Sequence, residues 1–158
     1  MGCHPSQGAR QSGRSFDYRE EQLKDSALFE TISVAKEPNY LAPDGSEIRL
    51  LPRMGRGSLA YCTLPRNTVS KAIYHRTVDE IWFFTKGEGE VWRKQGEREE
   101  TVSVSSGVSL TIPVDTHFQF RNTGALPLEF VIVTMPPWPA PHEGETVNII
   151  GKWSSIGN

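Results

Sequence analysis

Two stretches decide the fold: NTVSKAIYHRTVDEIWFFTKG at residues 67–87 and GVSLTIPVDTHFQFRN at residues 107–122. Side chains along a strand point alternately to its two faces. If Glu80 points inward, Trp82 and Phe84 follow it on the same face, and Asp79 faces solvent. If Phe118 points inward, Phe120 does too, and its neighbour His117 points out. Turn residues close both stretches, with Gly87-Glu88-Gly89 after the first and Ser106-Gly107 at the head of the second.

Outward from these segments the same pattern continues. Short β-type runs are expected at Ile32–Val34, Glu47–Leu51, Ser58–Leu64, Lys71–His75, Glu80–Thr85 and Glu90–Arg93. Further runs follow at Glu100–Val104, Ser109–Ile112, His117–Arg121 and Leu128–Met135. Asp44-Gly45, Gln95-Gly96 and Asn122-Thr123-Gly124 mark other turns. No long helical period lies between the runs, which argues against parallel βαβ units and for a β-sandwich or closed barrel. Residues 1–15 read as a disordered leader and 16–30 as a helical lead-in, with a short amphipathic helix over Glu20–Phe29. The barrel spans 31–136. From 137 to 158 a Pro-rich wrapping tail follows, anchored by Val147, Ile149, Ile150 and Trp153.

The chain has 158 residues, 37% apolar and 23% charged, and a net charge of −2. That length suits one domain with one core. With 17 basic against 19 acidic residues there is no field to gather nucleic acid. Arg49, Arg53 and Arg56 read as a solvated loop, and the charged run Trp92 to Glu100 as a solvated hairpin tip. Cys3 and Cys62 cannot make a disulfide framework, and no stretch has the length and apolarity of a membrane span or a signal peptide, so a cytoplasmic protein is expected. Met1-Gly2-Cys3-His4-Pro5-Ser6 fits the pattern for N-myristoylation, with Cys3 placed for a second acyl chain; a chance match in a leader is the favoured reading.

The opening stretches resemble the paired motifs of the cupin family, G-x5-H-x-H-x4-E-x6-G and G-x5-P-x-G-x2-H-x3-N. Asn67, Ile73, His75, Glu80 and Gly87 fall on the first spacing without a gap. Gly107, Pro113, Asp115, Phe118 and Asn122 fall on the second. The resemblance implies an all-β fold, a single jelly-roll (double-stranded β-helix) barrel, here with the short N-terminal helix. Asn67 and Asp115 replace motif glycines in turns, where both residues tolerate a left-handed backbone. The family's metal ligands, three His and one Glu, would fall on Ile73, His75, Glu80 and Phe118. Ile and Phe have no lone pair to give, so half the set is missing. No cofactor is therefore expected. Were a divalent metal such as Fe, Mn, Ni or Zn bound, its ligands would be His75, Glu80 and, if a β-bulge turned it inward, His117.

The remaining pair is expected inside an apolar wall. His75 and Glu80 are the catalytic candidates, and Ile73, Trp82, Phe84, Phe118 and Phe120 the ligand-binding ones. Glu80 is expected to raise the His75 pKa and orient its ring. Against this, small barrels are often packed solid, and a His–Glu pair can survive as a satisfied hydrogen bond. Cys62 more often packs than reacts, and the facing of Tyr61 stays open.

Three functions are in play. The first is a small-molecule-binding, metal-independent cupin, an isomerase or lyase if it is an enzyme. The second is a metal-dependent dioxygenase of a small organic acid or aromatic, and the third a non-catalytic structural or interaction barrel. A small-molecule ligand, no nucleic acid, no membrane span and a homodimer are the expected partnerships.

Overall fold

The computed structural model describes residues 29–139 and 145–156, and every regular element among them is a strand. In chain order these are β1 (Tyr40–Leu41), β2 (Glu47–Met54), β3 (Gly57–Leu64), β4 (Ile73–His75), β5 (Asp79–Lys86), β6 (Glu88–Gln95), β7 (Arg98–Ser105), β8 (Ser109–Ile112), β9 (His117–Asn122), β10 (Leu128–Met135) and β11 (Thr146–Asn148). Two antiparallel sheets form, one ordered β1-β2-β3-β10-β5-β8 and the other β11-β4-β9-β6-β7. The expected leader and nearly all of the expected N-terminal helix lie outside the described residues; Phe29, its last residue, has no regular structure and is exposed.

Nine of the ten expected strands form, and Ile32–Val34 is the exception. Among the described residues this run pairs with no strand. The carbonyls of Ala35 and Lys36 instead accept hydrogen bonds from Arg49 Nε and Nη2, both at 3.0 Å. Arg49 thus clamps the incoming chain and is not the solvated loop residue expected.

Register stacks the core in rows. Ile48, Cys62, Phe130 and Phe84 align across β2, β3, β10 and β5. The next row is Ala60, Ile132, Trp82 and Leu110, and the third is Ser58, Thr134, Glu80 and Ile112. Opposite them, Ile73 pairs with Phe118, and Phe120 with Val91. The inward-facing side chains of the two sheets close on each other and bury most of the core.

The turns match the chemistry of their residues. Asn67 (φ 62°) and Asp115 (φ 60°) are the non-glycine residues in left-handed geometry among the described residues. Both positions take glycine in the family motif. Asn and Asp adopt this conformation most readily after glycine.

The tail wraps as β11, pairing Thr146, Val147 and Asn148 with His75, Tyr74 and Ile73. Of the expected anchors, Ile150 departs, being 96% exposed, whereas Val147, Ile149 and Trp153 are half-buried. Gln119, wholly buried on β9, does the docking. Its Nε2 donates to the carbonyls of Ser70 and Trp153, and its Oε1 accepts from Trp153 N, each at 2.8 Å. Arg121 lies 4.4 Å over the Trp153 ring.

Gln119→Leu strips the partners from these backbone groups and is expected to destabilise the protein by about 2–3 kcal/mol. Urea unfolding measures that loss, and the Trp153 amide should exchange with solvent faster than in the parent protein.

Candidate functional site

Strands β4, β5 and β9 bring Ile73, His75, Glu80 and Phe118 to one end of the barrel interior, each 4% exposed or less. His75 Nε2 lies 3.6 Å from Glu80 Oε1, longer than a good hydrogen bond. The other carboxyl oxygen, Glu80 Oε2, accepts from Trp82 Nε1 at 2.8 Å. The imidazole packs against Phe118 at 5.3 Å and, edge to face, against Trp138 at 4.9 Å, while Nδ1 sits 3.4 Å from Thr146 Oγ1.

Trp138 and the tail cover the pair. Trp138 N donates to Ser58 Oγ at 3.0 Å, and Ser58 is hydrogen-bonded to Thr134, the neighbour of Glu80 in the third core row. Glu145 is buried beside them. Its carboxylate accepts from Thr77 N at 2.8 Å, Val78 N at 3.0 Å and Thr77 Oγ1 at 2.7 Å, which ties the tail to the β4–β5 turn. None of Trp138, Glu145 and Thr146 was singled out as a site residue from sequence. The Pro-rich setting of Trp138 reads only as tail, and no local pattern signals a pairing some 70 residues away along the chain.

Burial sets the protonation states. It lowers the His75 pKa to about 4, against a smaller opposing pull from the Glu145 charge. Burial also raises Glu80 to about 8, outweighing the Trp82 hydrogen bond, with the charges of Asp44 and Glu145 adding to the rise. The expectation that Glu80 raises the His75 pKa is therefore corrected. The cost of desolvating both charges exceeds what a contact 3.6 Å long returns, and near pH 7 the pair is a neutral imidazole facing a neutral carboxylic acid.

The donor set does not fit a metal of the family kind. Ile73 and Phe118 occupy two ligand places, and Glu80 has one oxygen committed to Trp82. His117 lies on the opposite face of β9, half-buried and stacked on Tyr74 at 5.2 Å. Among the described residues no three His, Cys, Asp or Glu side chains come together as a ligand group.

The other candidates form a packed aromatic core. Trp82 meets Phe118, Phe120 and Phe130 within 5.4 Å, and Phe84 packs, tilted, against Phe130 at 4.8 Å. Phe130 joins them through the same alternation along Leu128–Met135, although it was not among the expected site residues. Tyr61 faces outward and donates to Glu129 at 2.7 Å, whereas Cys62 faces in, its thiol pKa pushed well up by burial. Two surface clefts, of about 380 and 520 Å³, lie elsewhere and are lined by neither His75 nor Glu80. No helix among the described residues is long and apolar enough to cross a membrane.

Residues 60–134 match the family model described as Cupin domain. An uncharacterized protein of Methanocaldococcus jannaschii, MJ1618, is 30% identical over 104 residues, covering 63% of this chain and 80% of that protein. Among solved structures, Bacillus subtilis oxalate decarboxylase, described with Mn(II) centers, superposes with a TM-score of 0.60 at 15% identity. That match covers 80% of this chain and 36% of the decarboxylase, so the chain spans about a third of that enzyme. A variant of Streptomyces PAC13, solved with uridine, gives a TM-score of 0.58 at 10% identity, covering 77% of this chain and 92% of PAC13. At these identities the structural likenesses speak for the fold alone.

The buried pair has a definite pH signature. Glu80 contributes stability in full below its ordinary 4.5 and loses it as pH rises through about 8. His75 contributes in full above its ordinary 6.5 and loses it as pH falls through about 4. The two slopes oppose each other over about pH 5–6, and stability falls from there toward pH 8. Glu80→Gln, which has no proton to lose, should abolish the alkaline fall. Urea midpoints at pH 6 and 8.5 check this, and an equal fall in both proteins places the titration elsewhere.

Proposed function

The chain belongs to the cupin family, and on that premise we propose that it is a metal-independent, small-molecule-binding cupin whose ligand meets His75 and Glu80 beneath Trp138. One observation carries the reading. Two ionisable side chains stand enclosed on two places of the family's ligand motif, aimed at each other across 3.6 Å, and among the described residues no group of three metal-ligating side chains forms around them. The Trp82 indole accounts for a carboxyl at Glu80, but a stable core has no need of an ionisable imidazole facing it, since an apolar residue of the same volume packs there at lower cost.

The chemistry within reach is a proton transfer of isomerase or lyase type. The neutral imidazole of His75 has a lone pair to accept a proton, and the neutral carboxyl of Glu80 has one to give. Trp82 holds the carboxyl by its other oxygen and fixes its orientation. Ile73, Phe118 and Trp138 supply apolar walls that exclude water. Because the pair is nearly sealed, ligand entry requires Trp138 to swing away from the imidazole.

A second reading is favoured by the aromatic packing. Trp82, Phe84, Phe118, Phe120 and Phe130 are fully buried and in mutual contact, which supports a solid, non-catalytic barrel. The metal-dependent dioxygenase reading finds no support in the donor set.

Elemental analysis of protein purified without added metal is expected to return less than about 0.1 equivalent of Fe, Mn, Ni, Cu or Zn. Stoichiometric metal that disappears in His75→Ala overturns metal independence. A metabolite library screened by thermal shift is expected to give hits whose stabilisation is lost in both His75→Ala and Glu80→Gln. Hits unchanged in both variants, or no hits at all, favour the solid barrel.

A further inference from the structure

The tip of the β6–β7 hairpin, Lys94–Glu99, is exposed, as its charges lead one to expect, but the residues at its base are not. Trp92 is buried, and Arg93 shares a face with Val91 and turns toward the core, its side chain 17% exposed. Edge strand β7 of one sheet here faces edge strand β8 of the other. The cleft of about 380 Å³ between them is lined by Arg93, Lys94, Arg98, Glu100, Thr111 and Thr116, among others.

We infer that this cleft binds a small molecule through an oxoanion group, a carboxylate or a phosphate. Two buried side-chain polar atoms among the described residues lack any hydrogen-bond partner, Arg93 Nε and Thr116 Oγ1, and both belong to residues lining this one cleft. Buried donors are seldom left unmet; both atoms are closed to solvent in this conformation, so an acceptor from outside the chain reaches them only once neighbouring side chains of the cleft shift.

The rest of the Arg93 guanidinium is already fixed. Its Nη2 donates to Glu100 Oε1 at 2.6 Å and its Nη1 to the Thr111 carbonyl at 2.7 Å, which orients the free Nε–H. Lys94 and Arg98 are held loosely. Their nearest carboxylates, on Glu99 and Glu100, are 3.7 and 3.9 Å away, and both side chains are substantially exposed, free to turn to a ligand. Glu100 is the acidic residue among the lining, against three cations. An N–H and a hydroxyl that both need an acceptor, beside surplus positive charge, suit anionic oxygens better than a neutral ligand. The volume suits a small dicarboxylate or a phosphate. This site shares no residue with the His75–Glu80 pair, and it stands or falls independently of that reading.

The test is a titration of the 15N-labelled full chain with inorganic phosphate and, separately, with succinate, at ionic strength held constant with chloride. The Arg93 Nε–H resonance, identified by its absence in Arg93→Lys, and the Thr116 amide are expected to shift saturably with one of the two anions. Thr116→Val should weaken that binding about tenfold, the usual worth of a hydrogen bond to a charged group. The double variant Lys94→Gln/Arg98→Gln alters exposed side chains only and should weaken it while leaving the thermal midpoint in place. Which anion saturates tells phosphate from carboxylate. Linear shifts equal to those with chloride, saturation that leaves Arg93 and Thr116 unmoved, or affinity unchanged in both variants overturns the proposal and leaves ordered water as the partner of these atoms.

Discussion

Trp82 is the side chain on which the interior depends. Its ring fills the space between the two sheets, in contact with Phe118, Phe120 and Phe130. A buried indole N–H needs an acceptor, and Glu80, two residues earlier on the same face, provides it. The carboxyl is therefore part of the core as well as of the candidate site. Once it is buried, with no cation beside it among the described residues, burial keeps its proton on. The imidazole next to it has no negative neighbour strong enough to charge it. The polar chemistry of the barrel thus follows from the way its largest aromatic residue is satisfied.

Much of this was legible in the sequence, because period-two alternation is a geometric rule. It placed Trp82, Phe84, Phe118 and Phe120 inside and His117 outside; the left-handed turns at Asn67 and Asp115 followed instead from the resemblance, which sets both on motif glycines. The same rule puts Arg93 on the face of Val91. The density of charge around Arg93 concealed this, since a charge run is ordinarily solvated. Ile32–Val34 has the composition of a strand, yet a strand also needs a partner edge, and there Arg49 takes up the backbone carbonyls instead.

What the sequence did not disclose is long-range. Trp138, Glu145 and Thr146 reach the site only through the return of the tail onto β4 and the β4–β5 turn. Gln119 resembles an outward polar residue on an alternating strand until the tail arrives to cover it. The protonation of the pair escaped for a related reason. Residue types suggest that a His beside a Glu should gain a charge, but the sign of the shift depends on how deeply both are enclosed.

The return of the tail has one more consequence. A strand at the margin of a sheet offers unpaired N–H and C=O groups to any other extended chain, and such margins seed aggregation. By laying β11 along β4, the chain replaces that margin with a three-residue edge of its own. The opposite margin, β7, begins with Arg98, Glu99 and Glu100, charges that discourage a foreign strand from docking. The tail therefore bears on the edge of the sheet as well as on the candidate site. Shortening the chain at this end would expose a templating edge even where the barrel itself still folds.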